Sequence, residues 1–164
     1  MLTPATRWGN YYTAKNGKGG IAMIATFRKI LVPLDDSEHS RHALRYAMGV
    51  AQAQKSHLAL LHSIGRIPML IGGEPRKELV RELVREAEKL LAPYAKKLRE
   101  IGIEPALIIK EGKPGEVIVQ EAKSGNYDLI IMGSRGLSDI EGVILGSNAH
   151  RVLSAAHCPV LVTR

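Results

Sequence analysis

Residues 128–136 read Asp128-Leu129-Ile130-Ile131-Met132-Gly133-Ser134-Arg135-Gly136, and after nine intervening residues Gly146-Ser147-Asn148 opens an amphipathic stretch. A short apolar run, a glycine-punctuated loop and a segment of helical period make one strand, loop and helix of a parallel sheet. The glycines are spaced Gly-x2-Gly-x9-Gly-Ser. Glycine lets backbone approach an anion closely, and a helix N-terminus presents unpaired N–H groups with a favourable dipole. The stretch therefore predicts a phosphate cradle, and with it an adenine nucleotide site. It is not a Walker loop, because no Gly-Lys-Ser/Thr is present and Lys113 falls in a different turn.

The same alternation extends outward from this unit. Residues 29–33 form a first strand, and Ser37-Glu38 opens a helix to about residue 53 with Ala43, Leu44, Ala47 and Val50 on one face. A second strand covers 58–63. Residues 64–74 hold Pro68 and three glycines, which predicts a mobile loop near the mouth of the sheet. The longest helix is expected over 75–100, with Leu79, Leu83, Ala87, Leu90, Tyr94 and Leu98 as its apolar stripe, a kink at Pro93 and a stop at Gly102. Strands at 104–110, 128–132 and 160–163 and helices at 114–122 and 147–155 complete the pattern. Five strands linked by four crossover helices predict an α/β fold with an open parallel sheet.

Composition narrows the function classes. A chain of 164 residues with 45% hydrophobic content holds one domain with a core. The formal charge of +7 is concentrated at the start: Arg7, Lys15, Lys18, Arg28 and Lys29 face no acid before residue 30, and the remainder carries only +2. A basic groove for nucleic acid is therefore not expected. Cys158 is the lone cysteine, read as a small packed residue in a reducing cytoplasm. No run approaches the roughly 18 apolar residues of a spanning helix, so a cytoplasmic protein without a membrane segment is expected. Residues 1–26 carry Thr-Pro, Asn-Gly and Lys-Gly-Gly without sustained periodicity, and are read as an N-terminal extension, a mobile tail or leader distinct from the domain at 27–164. Its Trp8, Tyr11 and Tyr12 offer a docking alternative.

Ligand chemistry belongs at the carboxyl ends of the strands, where strand order reverses. Asp35 and Asp36 follow the first strand, where a carboxylate accepts ribose hydroxyls or caps the next helix, and Ser37 competes for the cap. Asp35 is assigned to ribose and Asp36 to solvent or the cap. Arg135, between the first two glycines, pairs with a phosphate or is simply solvated. Ser147 ligates magnesium through the phosphates, caps its helix, or does both. His39 and His42 lie three apart, yet no carboxylate or cysteine completes a metal set, and Cys158 beside His157 lacks the setting of a nucleophile. No residue clearly supplies a base for water, so no catalytic residue is assigned and at most slow hydrolysis is expected.

Four stretches in order resemble the universal stress protein family: Ile30-Leu31-Val32-Pro33-Leu34-Asp35-Asp36-Ser37, Leu60-Leu61-His62-Ser63, Gly112-Lys113-Pro114, and the glycine motif followed by Cys158-Pro159-Val160-Leu161-Val162. The resemblance implies a three-layer, adenine nucleotide alpha hydrolase-like fold, with five parallel strands in order 3-2-1-4-5 and helices on both faces. It also implies ATP binding, since family members that do not bind ATP lack these glycines. On this resemblance Asp35 holds the ribose or adenine edge, and Pro33 and the backbone at Ser63 line the base. Met132 and Gly133 lie under the ribose and α-phosphate, and Gly136, Gly146, Ser147 and Asn148 wrap the outer phosphates. A homodimer through the last strand is implied too. The function expected is an ATP-dependent regulatory switch read by a protein partner. The competing readings are a weak ATPase or an adenylate-forming transferase, and a stress dimer in which the nucleotide is structural.

Overall fold

The computed structural model describes residues 11–15, 21–137 and 145–164, with side chains from residue 26 onward. Two strands, β1 (Tyr11–Lys15) and β2 (Ile21–Ala25), pair antiparallel with Tyr11 opposite Ala25 and form a sheet of their own. They fall in the stretch read as aperiodic. Each is only five residues long, too short for an alternating pattern to stand out in the sequence. Trp8 lies outside the described residues.

The remaining elements are β3 (Lys29–Pro33), α1 (Glu38–Gln54), β4 (His57–Ser63), α2 (Gly73–Glu100), β5 (Ala106–Lys110), α3 (Pro114–Ser124), β6 (Leu129–Gly133), α4 (Ser147–Ala155) and β7 (Val160–Thr163). The five strands from β3 onward form one parallel sheet in the order β5-β4-β3-β6-β7, which counted from β3 is the expected 3-2-1-4-5. Alternate residues of each strand enter opposite cores, which is why the strands read as continuous apolar runs. Ile30, Val32, Leu58, Leu60, Leu129 and Ile131 pack under α1 and α2. Leu31, Ala59, Leu61, Ile130 and Met132 pack under α3 and α4.

One register detail positions the site. The ladder between β3 and β4 reaches Pro33 opposite Leu61, and that between β6 and β7 reaches Gly133 opposite Thr163. Between β3 and β6 it ends at Leu31 opposite Ile130. The two central strands thus part over their carboxyl ends, at the point where strand order reverses, and leave a crevice there.

Two expectations needed correction. The strand predicted over 104–110 starts at Ala106, because Pro105 donates no ladder hydrogen bond and Glu104 is held by Arg99 at 2.9 Å. Along α2, which runs unbroken through Pro93, the buried residues are Ala87, Leu91, Ala95 and Leu98, whereas Leu79 and Leu83 stay half-exposed. The stripe deepens only over the C-terminal half of the helix.

Candidate functional site

The crevice opens into a cleft of about 600 Å³, part of it open to solvent. Eight of the ten predicted site residues line it: Pro33, Asp35, Ser63, Met132, Gly133, Arg135, Gly136 and Asn148. Gly146 and Ser147 do not. Gly146 is buried at the cap position of α4 and spends its N–H on the Ser134 carbonyl at 2.7 Å, and Ser147 is exposed on the first turn of α4. No side chain caps α4 among the described residues, so Ser147 is not the cap its position had allowed. The N-terminal N–H groups of that helix retain the positive end of its dipole beside the cleft.

Asp35 is held by its own turn. Its Oδ1 accepts hydrogen bonds from the Ser37 backbone N–H at 3.0 Å and the Ser37 hydroxyl at 2.6 Å, while Oδ2 accepts from the Leu137 N–H at 3.2 Å. Ser37 is the helix cap, with its Oγ accepting from the Ser40 N–H at 3.2 Å. Asp36 therefore neither caps α1 nor stands free. It adopts a left-handed φ of 65°, accepts a hydrogen bond from the Tyr94 hydroxyl of α2, and pairs with Arg41 at 3.1 Å. The Tyr94 hydrogen bond, aided by Arg41 and opposed by some desolvation, holds the Asp36 carboxyl below the usual carboxylate range. Burial, aided by the same contact, pushes the Tyr94 phenol up.

Gly133 is glycine for a reason the motif did not reveal. A Cβ there would stand 2.7 Å from the backbone carbon and Cβ of His39 and 3.0 Å from its carbonyl oxygen. Close approach of α1 to the end of β6 thus demands the glycine, whatever the cleft holds.

Sequence reasoning missed several lining residues. Leu61 and Ile118 form apolar wall, and periodicity cannot separate such positions from core. His62 donates from Nδ1 to the Leu34 carbonyl at 2.7 Å, since a carbonyl oxygen can only accept. Ser134, also on the cleft wall, is 2% exposed, and its Oγ has no partner among the described residues. A buried hydroxyl left unpaired costs about 1–3 kcal/mol, so it marks a place where a ligand or water belongs.

The loop expected to be mobile is tied at its base. Gly65 bridges to Gly112 and Ile67 is buried. Glu111 accepts from the Ile67 N–H at 3.3 Å and pairs with Arg76 at 2.7 Å, contacts that hold its carboxyl below the usual range, Arg76 contributing most. At the tip, Met69 and Leu70 are fully exposed. On the far side, Cys158 is half-buried, and burial together with the Asp128 charge pushes its thiol up, away from the thiolate a nucleophile needs. Among the described residues no group of three His, Cys, Asp or Glu gathers for a metal ion, and no helix is long and apolar enough to cross a membrane.

Residues 26–164 match the model of the universal stress protein family. The chain belongs to that family. A universal stress protein of Thermus aquaticus, encoded beside the QAH/OAS sulfhydrylase, is 36% identical over 138 residues, covering 84% of this chain and 99% of its own length. Protein MJ0577 of Methanocaldococcus jannaschii superposes with a TM-score of 0.77 at 33% identity, over 84% of this chain and 96% of that one. The universal stress protein of Archaeoglobus fulgidus solved in complex with dAMP superposes with a TM-score of 0.63 at 24% identity, over 84% of this chain and 98% of that one. At that identity the likeness shows the shared fold.

Proposed function

We propose that this universal stress protein binds an adenine nucleotide, ATP in its working form, in the cleft between β3 and β6, and acts as a nucleotide-dependent regulatory switch. The observation that carries the reading is the convergence of three features on one crevice: a fixed carboxylate at Asp35, and, among the described residues, an N-terminus of α4 without a side-chain cap and a Ser134 hydroxyl without a partner. Adenine would lie against Pro33 and the backbone at Ser63, whose own hydroxyl is committed to the Gly112 carbonyl at 2.7 Å. Ribose would meet Asp35 and Met132, and the phosphates would run from Gly133 past Arg135 and Gly136 towards Gly146, Ser147 and Asn148. A magnesium ion arriving with ATP would draw its ligands from phosphate oxygens and from the exposed Ser147 hydroxyl. The switch would work by ordering loop surfaces for a protein partner, with a homodimer through β7 as its frame.

Calorimetric titration of ATP and magnesium into nucleotide-free protein tests this. Asp35→Asn keeps an acceptor for Ser37 but loses the charge, and is expected to weaken binding by about tenfold or more. Binding by the parent should also slow hydrogen exchange in residues 64–72. Absence of any adenine nucleotide binding by the parent sinks the proposal, and turnover well above background would favour the ATPase.

A further inference from the structure

Strands β1 and β2 make a sheet of their own, joined to neither edge of the five-stranded sheet. A hairpin of two five-residue strands is marginal in water without a further surface to cover it. Its composition says what kind of surface. β2 reads Ile21-Ala22-Met23-Ile24-Ala25, so Ile21, Met23 and Ala25 fall on one face and Ala22 and Ile24 on the other, and both faces are apolar. β1 contributes Tyr11 and Tyr12, and its last residue, Lys15, is paired with Ile21. In sequence Lys18 lies between the strands, Trp8 precedes them, and no acid occurs before Asp35.

The attachment places the hairpin at one end of the domain. After Ala25 only Thr26 intervenes before Phe27, whose N–H donates to Gln54 Oε1 at 2.6 Å and whose carbonyl accepts from the Ser56 hydroxyl. The next two backbone N–H groups, of Arg28 and Lys29, donate to Asp128 at 2.9 and 3.0 Å. The chain leaving the hairpin is therefore fixed at the amino end of β3, opposite the carboxyl end where the cleft lies. Lys55 and Lys123 stand exposed at the same end, where α1 leads into β4 and α3 into β6. Two of the acids there are engaged, Asp128 as above and Glu104 by Arg99 at 2.9 Å.

An apolar strand, aromatic residues and a cationic tip are the elements of a peripheral membrane anchor: apolar side chains enter the headgroup boundary while lysines meet anionic headgroups. A ribbon for nucleic acid needs cations along its length, where β2 has none, and the hairpin of a second copy brings like charge to like. We propose that β1–β2 docks this protein on an anionic lipid surface, with the amino end of the sheet toward the lipid and the cleft away from it. The docking does not depend on what the cleft holds.

Co-sedimentation of the full chain with vesicles tests this, using phosphatidylcholine alone and phosphatidylcholine mixed with phosphatidylserine. The parent is expected to bind the mixed vesicles at low salt, to be released as salt rises, and to bind the neutral ones far less. Lys15→Gln with Lys18→Gln should weaken binding about tenfold or more, at about fivefold per cation. Lys77→Gln with Lys89→Gln takes the same charge from α2 and should leave binding nearly unchanged. Ile21→Ser with Ile24→Ser keeps every charge and should also weaken binding about tenfold or more. Trp8 is the single tryptophan of the chain, so its emission follows the hairpin segment without any substitution and should shift to shorter wavelength on the mixed vesicles. Binding that is absent at low salt, equal on neutral vesicles, unaltered in both hairpin variants, or without change at Trp8 overturns the proposal. Equal weakening by the α2 pair overturns it as well, because net charge alone would then account for the binding. Tighter binding to a DNA duplex than to the mixed vesicles overturns it in favour of nucleic acid.

Discussion

Asp35 and Asp36 are neighbours with opposite fates. Asp35 turns into the cleft and is braced by Ser37, whereas Asp36 turns away and ties the start of α1 to Tyr94 on α2. The tie has a pH signature. A carboxyl whose folded pKa is lowered contributes stability above its ordinary value, about 3.9 for aspartate, and loses it as the pH falls through the lowered value. Tyr94→Phe should therefore destabilise the protein at pH 7, and the gap between variant and parent should narrow at about pH 3, as followed by urea denaturation. Gly133 supplies a second case. Gly133→Ala forces a methyl against the His39 backbone and should cost about 1–3 kcal/mol in the nucleotide-free protein. An unchanged denaturation midpoint would place the constraint on Gly133 in the ligand instead of in helix packing.

Among the elements, those with short apolar runs and clear punctuation were legible within a residue or two. Helix α4 and strand β7 start and end where Gly146-Ser147 and Pro159 require. The long helix was legible in extent and less so in orientation. Leucine, valine and alanine recur so often along α2 that several stripes satisfy the helical period, and the choice of Leu91 and Ala95 was made by the β-sheet beneath. The anchoring of the loop after β4 was hidden from the sequence for a related reason. Glycine and proline announce a departure from regular structure, but the restraint comes from Glu111 and Gly112, more than 35 residues away in sequence.

For the molecule as a whole, β7 is an edge strand with Leu161 39% exposed and Val160 and Val162 half-buried. An apolar edge of this kind invites pairing with a second copy. Sedimentation velocity should find a dimer in the parent and a monomer in Leu161→Lys, while a monomeric parent would remove β7 from the account of assembly. The other edge, β5, exposes Leu107 at 43% and is therefore the control position, since Leu107→Lys should leave the parent's oligomeric state unchanged.

The succession of strands and helices from β3 onward, the parallel sheet and the region of the cleft were written in local patterns: apolar runs of about five residues, helical periodicity, and glycines that mark where backbone must approach something closely. Such signals are short-range, and a residue-by-residue reading recovers them. What Gly133 approaches, that Asn148 Oδ1 accepts the Gly115 N–H, why Asp36 needs Tyr94, and where β3 parts from β6 were decided by tertiary structure. Those facts depend on pairs of residues 33 to 99 positions apart, brought together only by the fold, and no local pattern encodes the partner.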